Sequence, residues 1–199
     1  MKTPILALCL SLGWLAHSAA EGETNSIFTG TDFTGWIIPK GNDEKNWYQA
    51  ADGELKIQSG PDQKGSVLWT EKSYRNFVVD LEFKFGEGII DSGVHLRNKD
   101  QIQIGISGSL KRDMTASPYI PGKGYPVEAE GVAELLKLND WNAMKIKVVG
   151  KQYTVWLNGK QVMTYESDTA IEEGPIGLQL HAKRDMAITY RSIHLAELD

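Results

Sequence analysis

One stretch decides the fold class of this chain: Phe77-Val78-Val79-Asp80-Leu81-Glu82-Phe83-Lys84-Phe85. Its odd-numbered residues are all apolar, and Asp80, Glu82 and Lys84 alternate with them. Successive side chains of a β-strand point to opposite faces of its sheet, so this period of two predicts a strand with one face in a core and the other in water. The same pattern predicts further strands at 47–50, 54–58, 66–70, 143–149, 152–157, 160–165 and 186–196.

Turn signals separate these strands at regular intervals. Asn158-Gly159 lies between two of them and predicts a tight hairpin, because both residues tolerate a positive φ. Only residues 132–138 read as a helix, and it is short. Many short strands joined by regular turns predict an all-β, jelly-roll sandwich of two antiparallel sheets. With no internal repeat or linker, residues 21–199 are expected to form a single domain.

The first twenty residues are interpreted as a secretory signal peptide. Met1-Lys2 begins the chain with a positive charge, an apolar run too short to span a bilayer follows, and Ser18-Ala19-Ala20 supplies small residues for cleavage. The only cysteine, Cys9, lies inside this segment, so a core without disulfides must stabilise the domain. We therefore expect a periplasmic or extracellular protein that does not insert into the membrane after cleavage of the signal.

The charge of the chain argues against a nucleic-acid partner. Its formal net charge is −5 and it has no basic block. Nucleic-acid affinity comes mainly from lysine and arginine on phosphates, so the expected partner is of another class.

Three stretches place ligand-binding side chains at one strand parity. They read Asp91-Ser92-Gly93-Val94-His95-Leu96-Arg97, Asp100-Gln101-Ile102-Gln103-Ile104 and Gly177-Leu178-Gln179-Leu180-His181. The apolar members turn to the opposite face. If the three strands are neighbours, amide, imidazole and guanidinium groups line one open sheet face, which is the composition of a sugar-binding surface.

The chain resembles the bacterial family of secreted 3-keto-disaccharide hydrolase domains, which have a concanavalin A-like jelly-roll fold. The landmarks form an ordered set from Ser26 to Leu198. Besides the stretch around Gly93 they include Phe33-Thr34-Gly35-Trp36, Asp52-Gly53-Glu54-Leu55, Asp140-Trp141-Asn142, Leu157-Asn158-Gly159 and Tyr190-Arg191-Ser192-Ile193.

The resemblance implies chemistry on a glycoside already oxidised at C3. A base would remove the acidified C2 proton, and the glycosidic oxygen would leave. His181 is the first candidate for this base, because imidazole titrates near neutral pH. Arg97 would hold the ketone or a hydroxyl pair. Gln101, Gln103 and Gln179 would fix hydroxyls, and either a divalent metal ion or a cationic side chain would stabilise the enolate oxygen.

Departures from the family pattern support a second hypothesis. The family usually has an acidic residue in the strand that here carries Gln101 and Gln103, and commonly has asparagine at the position of Asp91. A neutral amide cannot act as a general base. A non-catalytic carbohydrate-binding module on the same face is therefore the alternative to an enzyme. A protein-interaction domain is a third hypothesis, but it predicts apolar residues where this face has polar ones.

Several assignments have a structural alternative. His181 could simply bond to a neighbouring hydroxyl, and Arg97 could pair with Asp91 or Asp100. His95, His181 and Asp91 could ligate a metal, although no close spacing indicates a site.

Trp156 has outward parity and is a candidate to stack on sugar. The acidic pairs Glu128/Glu130 and Asp80/Glu82 are interpreted as solvated faces rather than as the carboxylate pair of an ordinary glycosidase.

Overall fold

The computed structural model describes residues 23–41, 47–97 and 100–199. The signal peptide predicted at residues 1–20 lies outside the described residues. The strands are β1 (Asn25–Ser26), β2 (Trp36–Ile37), β3 (Tyr48–Ala51), β4 (Glu54–Gln58), β5 (Ser66–Tyr74), β6 (Asn76–Gly88), β7 (Asp91–Leu96), β8 (Asp100–Gly105), β9 (Pro118–Tyr119), β10 (Asn142–Val149), β11 (Gln152–Leu157), β12 (Lys160–Glu166), β13 (Gly174–Leu180) and β14 (Met186–Leu198). The one helix in the described part, α1, spans Val132–Leu135.

The strands form two antiparallel sheets. The eight-stranded sheet has the order β12-β11-β10-β6-β14-β4-β3, with β1 added along β14. The six-stranded sheet has the order β2-β5-β13-β7-β8-β9. Neighbours such as β6 and β14 are far apart in sequence, so most contacts are long-range, as expected of a sandwich.

The core lies between the two sheets and follows the predicted alternation. In β6, the side chains of Phe77, Val79, Leu81 and Phe83 are buried, while Asp80 and Glu82 on the other face are partly exposed. Val94, Ile102 and Leu178 of the six-stranded sheet are fully buried on the facing side. The period-two pattern therefore assigns the inward face of β6 correctly, and that of the three polar strands of the facing sheet.

Two buried polar pairs tie the sheets together across this core. The hydroxyl of Ser92 in β7 donates to the backbone carbonyl oxygen of Gln179 at 2.6 Å. It also lies 2.9 Å from the hydroxyl of Tyr190 in β14. Asp100 at the start of β8 accepts bonds from Tyr153 at 2.7 Å and from Ser167 at 2.6 Å. Buried polar groups are stable only when hydrogen-bonded, so these pairs fix the relative position of the sheets.

The tight turn at Asn158-Gly159 is confirmed. Leu157 pairs directly with Lys160, and Asn158 and Gly159 both have positive φ, at 48° and 84°. The predicted helix is also present, although it ends at Leu135 rather than at residue 138. The helix in the described residues is not long and apolar enough to cross a membrane.

Candidate functional site

The three polar stretches do lie side by side. β13, β7 and β8 are consecutive in the six-stranded sheet, and His95 pairs with both Gly177 and Gln101. Directly opposite residues in an antiparallel pair share a face, so the polar side chains turn away from the core together. The face that they line is called here the glutamine face, defined by Asp91, Gln101, Gln103, Gln179 and His181.

The glutamines are joined to one another by hydrogen bonds. The Nε2 of Gln101 donates to Oε1 of Gln179 at 3.0 Å and to Oε1 of Gln103 at 3.2 Å. This contact passes over Gly93, where an added Cβ would lie 2.1 Å from Nε2 of Gln101. Glycine at this position is therefore required for space, because any side chain would occupy the place of the Gln101 amide.

Asp91 anchors this row of amides. Its Oδ1 accepts a 2.9 Å bond from Nε2 of Gln103, which leaves the carbonyl of Gln103 pointing to Gln101. The side-chain amino group of Gln101 in turn donates to the side-chain oxygen of Gln179. Gln179, whose side-chain oxygen accepts this bond, also lines the cleft. One buried carboxylate thus sets the direction of three amides, whose oxygen and nitrogen positions follow from the network.

The second oxygen of Asp91 faces two basic side chains. Nε of Arg184 lies 3.3 Å from Oδ2, and Nε2 of His181 lies 3.8 Å from the same atom. The Asp91 side chain is only 3% exposed, whereas His181 is 40% exposed. A buried carboxylate needs a partner, and Arg184 supplies the permanent positive charge. His181 stands between this carboxylate and solvent.

The tautomer of His181 follows from its other nitrogen. Nδ1 lies 2.7 Å from the carbonyl oxygen of Ala182. A carbonyl can only accept, so Nδ1 carries the proton, and in the neutral ring Nε2 holds the lone pair. The atom that could take a proton is therefore the one that faces Asp91 and the cleft.

A loop covers one side of the glutamine face. Tyr119, Tyr125, Ser107 and Lys111 from residues 106–125 line a cleft of about 520 Å³ together with the polar strands. The rings of Tyr119 and Tyr125 meet edge to face, with centroids 5.3 Å apart. Burial raises the pKa of the Tyr125 phenol, so this group stays protonated and can donate a hydrogen bond. The size of the cleft is within the range of small-ligand sites.

Arg97 does not belong to the glutamine face, which corrects the expectation for this residue. β7 ends at Leu96, and Arg97 takes a φ of 52°, so the alternation breaks there. Its guanidinium is buried and donates to the carbonyls of Gly150 at 2.6 Å, Ile171 at 2.9 Å and Arg75. The suggested pairing with Asp91 or Asp100 is also not observed, because both carboxylates have other partners. Arg97 instead joins three loops by their backbone oxygens.

Two other residues proposed for substrate binding lie outside the cleft. His95 is on the same face, next to Gln101, and its ring packs against Trp69 with centroids 5.2 Å apart. Trp156 does face outward as its parity predicts, but from β11 of the eight-stranded sheet. It therefore lines a different cleft, on the opposite side of the sandwich. Parity within a strand cannot tell to which sheet the strand belongs.

The residues of the cleft do not fit a divalent metal ion. Among the described residues, no three His, Cys, Asp or Glu side chains are placed to share one. Asp91 and His181 are the two ligand-type groups that meet, and the guanidinium of Arg184 already lies against the oxygen that a metal would need. His95 packs on Trp69 rather than toward Asp91.

Sequence reasoning missed Arg184, the guanidinium that contacts Asp91. Arg184 follows β13 in the turn before β14, where no strand parity applies. Its signal was the short distance in sequence from His181, three residues earlier. The signal for the loop wall is the stretch at residues 111–130, which has several Pro and Gly soon after β8 and is typical of a functional loop.

The comparisons with known proteins confirm the family and the fold. The family model for the 3-keto-alpha-glucoside-1,2-lyase-like domain matches residues 23–196, so the expected family is confirmed. The comparison with curated proteins finds no match.

Solved structures similar to this chain share its two-sheet architecture. A "putative glycosyl hydrolase" from Parabacteroides distasonis ATCC 8503 has a TM-score of 0.67 at 18% identity, over 89% of this chain and 94% of that chain. The carbohydrate binding module CBM66 from Bacillus subtilis has a TM-score of 0.53 at 14% identity, over 83% and 98%. A Bacillus subtilis protein of galectin-like fold has a TM-score of 0.59 at 14% identity, over 89% and 97%. These identities show the fold alone, and they confirm the jelly-roll sandwich.

Proposed function

This chain belongs to the family of 3-keto-alpha-glucoside-1,2-lyase-like domains, and on that premise we propose that it cleaves 3-keto-glycosides at the glutamine face. The observation that carries the proposal is the position of His181. Its Nε2 lies at the cleft, 3.8 Å from Oδ2 of the buried Asp91 carboxylate. When Nε2 takes a proton from the substrate, the neighbouring carboxylate would stabilise the positive charge that develops on the ring.

The reaction is an elimination followed by a hydration. The Nε2 of His181 takes the C2 proton, and the electron pair of the C–H bond moves to give an enolate with its charge on the C3 oxygen. When the ketone reforms, a double bond forms between C1 and C2, and the glycosidic oxygen leaves and takes a proton. Water then adds its hydroxyl to C1 and its proton to C2, so that the net change is hydrolysis to a 3-keto sugar and an alcohol.

Arg184 is the group proposed to stabilise the enolate oxygen. It is charged at every working pH and lies at the cleft, where its Nη2 would be 2.9 Å from a Cβ built on Gly108. The same Cβ would lie 3.0 Å from Oδ2 of Asp91, so glycine at position 108 leaves room for both groups. Arg184 thus takes the role that the sequence assigned to Arg97.

The amide row and the tyrosines would bind the sugar. Gln179 lines the cleft with its side-chain oxygen already bonded to Gln101, so its amino group would donate to hydroxyls or to the ketone. Tyr119 offers a ring face at the entrance, where it is 37% exposed. Aromatic rings bury the apolar face of a ligand while the amides fix its orientation.

The test is turnover of 3-keto-glycosides by the purified chain, beside the same sugars unoxidised at C3. We expect release of the alcohol only from the oxidised substrates, and deuterium at C2 of the product when the reaction is run in D2O. His181→Ala and Arg184→Ala should each abolish release, while Gln152→Ala, an exposed glutamine of the other sheet, should behave as the unchanged protein. Equal activity in His181→Ala would overturn the assignment of the base.

A non-catalytic carbohydrate-binding module is the second candidate function. It is favoured by the neutral amides at the positions of Gln101 and Gln103, which bind hydroxyls but cannot transfer protons. In this case the chain would bind both oxidised and unoxidised sugars without turnover, and Gln103→Ala would weaken binding. Calorimetry with the two sugar classes separates this outcome from catalysis.

We also propose that the domain acts outside the cytoplasm, after removal of residues 1–20. Expression of the full chain and sequencing of the exported product should give an N-terminus at Glu21. A product retained in the cytoplasm with Met1 intact would contradict this.

A further inference from the structure

Trp156 lines a second cleft, which the proposed reaction does not use. The cleft has a volume of about 610 Å³ and lies on the outer face of the eight-stranded sheet. It is slightly larger than the cleft at the glutamine face and faces the opposite side of the sandwich. Both volumes are within the range of clefts that bind small ligands.

The floor of this cleft is a straight row of side chains across four neighbouring strands. Trp156 of β11 pairs directly with Lys145 of β10, Lys145 with Asp80 of β6, and Asp80 with His194 of β14. Adjacent strands are about 4.8 Å apart, so the row extends over roughly 14 Å. This row is called here the Trp156 row. Its length suits a chain of sugar rings better than a single small ion.

The chemistry of the Trp156 row is that of a surface for neutral, hydroxyl-rich ligands. The indole of Trp156 supplies a partly exposed aromatic surface at one end. Lys145 carries donors and Asp80 carries acceptors in adjacent positions, so their charges balance rather than create a field of one sign. Nδ1 of His194 lies 2.9 Å from the carbonyl of Ser192, which fixes the imidazole at the other end of the row. Mixed donors and acceptors beside an aromatic ring match sugar hydroxyls and a pyranose face.

Side-chain contacts hold one border of the cleft in place. Arg191 pairs with Glu82 at 2.8 Å and lies over the ring of Trp141, with its guanidinium carbon 3.9 Å from the ring centroid. Glu82, which lines the cleft, is therefore held in place by an arginine that is itself stacked. A rigid wall lowers the entropy cost of binding a flexible oligosaccharide.

A protein partner fits this surface less well. The large apolar side chains that are most exposed in the described part of the chain are Ile37, Ile89, Leu110, Tyr119, Leu138 and Val149, and none of them lines the Trp156 cleft. Protein interfaces have an apolar centre from which charged residues are depleted, whereas the centre of this cleft holds Lys145 and Asp80.

We propose that the Trp156 row is a second carbohydrate site, which binds a neutral oligosaccharide that is not oxidised at C3. The two sites lie on opposite sides of the sandwich, and a polymer long enough to reach around the domain from the Trp156 row would have its ends at raised local concentration near the glutamine face. The proposal does not depend on catalysis at the glutamine face.

The test is a titration of the full chain with neutral glucose oligosaccharides, followed by NMR of the backbone amides and the indole groups. We expect shifts at Trp156, Lys145 and His194. Trp156→Ala should weaken binding at these positions about fivefold to tenfold, since ring contacts are worth about 1 kcal/mol. Thr154→Ala, two residues away on the same face but outside the cleft, is the matched control and should bind normally.

Two further variants keep the outcome interpretable. Lys145→Ala removes a donor without removing a large ring, so it tests the row even if Trp156→Ala lowers stability. His181→Ala should leave the shifts at the Trp156 row unchanged, which separates this proposal from the proposed reaction. Absence of shifts at the row up to the solubility limit of the sugars would overturn the proposal. Shifts of the same residues on dilution of the protein alone would also overturn it, in favour of contact with a second copy.

Discussion

Gln101 reaches Gln179 across Gly93, with 3.0 Å between the donor nitrogen and the acceptor oxygen. The two glutamines belong to β8 and β13, and β7 runs between them. Because Gly93 has no side chain, the hydrogen bond between Gln101 and Gln179 can form above it, although their strands are not neighbours. This connection makes the glutamine face one hydrogen-bonded unit rather than three separate strands.

Gly93→Ala should disrupt that unit. The new Cβ would lie 2.1 Å from Nε2 of Gln101 and 2.6 Å from the carbonyl oxygen of Ile102, so the amide must leave and the backbone must shift. We expect a loss of about 1–3 kcal/mol in the free energy of unfolding and at least tenfold weaker sugar binding. Binding should be compared in a double-mutant cycle with Gln101→Ala. Additive losses in the cycle would show that the two residues do not act through one contact.

Asp91→Asn should affect the rate more than substrate binding. Asparagine can still accept the bond from Gln103 but brings no negative charge to His181, which becomes a cation when it takes the substrate proton. We expect kcat to fall about a hundredfold with little change in KM, because the lost interaction is made in the transition state. Steady-state kinetics with a 3-keto-glycoside measures this. A rise in KM with kcat unchanged would place Asp91 in substrate binding instead.

Arg97→Met should reduce stability without changing the chemistry. Methionine keeps much of the volume but leaves the carbonyls of Gly150, Ile171 and Arg75 without their donor. We expect a loss of roughly 3 kcal/mol in the free energy of unfolding, measured by urea denaturation. The kcat of the folded protein should equal that of the unchanged chain. A selective loss of kcat at full stability would return Arg97 to the catalytic role that the sequence suggested.

Tyr119→Ala should weaken substrate binding, whereas Tyr119→Phe should not. Tyr119 is exposed at the entrance of the cleft, and its ring packs edge to face on Tyr125. Loss of the ring face should raise KM about fivefold at nearly constant kcat, and phenylalanine keeps that face. Equal losses in both variants would assign the contribution to the hydroxyl group.

The ion pair of Glu82 and Arg191 should make stability depend on pH in the acid range. The hydrogen bond from Arg191 lowers the pKa of Glu82 below its ordinary value of 4.5. The pair therefore stabilises the fold above that value, and its contribution is lost as the pH falls through the lowered pKa. We expect Glu82→Gln to cost up to about 1 kcal/mol at pH 7 and nothing near pH 2. Denaturation curves at both pH values test this, and an equal cost at both would attribute the effect to packing.

The sequence predicts the strands of this protein better than the site that they build. Alternation at Phe77–Phe85 depends only on the geometry of the extended backbone, so the inward face of β6 could be read from residue order. The same rule placed Gln101, Gln103 and Gln179 on one parity. It failed at Arg97 because a residue of positive φ ends the alternation, and no pattern in the sequence shows this change in advance.

What the sequence determined by itself is the all-β class, the hairpin at Asn158-Gly159 and the polar face of β7, β8 and β13, because each depends on backbone geometry over a few residues. Tertiary structure alone decided which strands are neighbours. Only in the tertiary structure does Arg184 lie next to Asp91 and near His181. The tertiary structure also places Trp156 on the sheet that does not carry the glutamine face. Strand order in a sandwich comes from contacts between residues far apart in the chain, and local patterns carry no information about them.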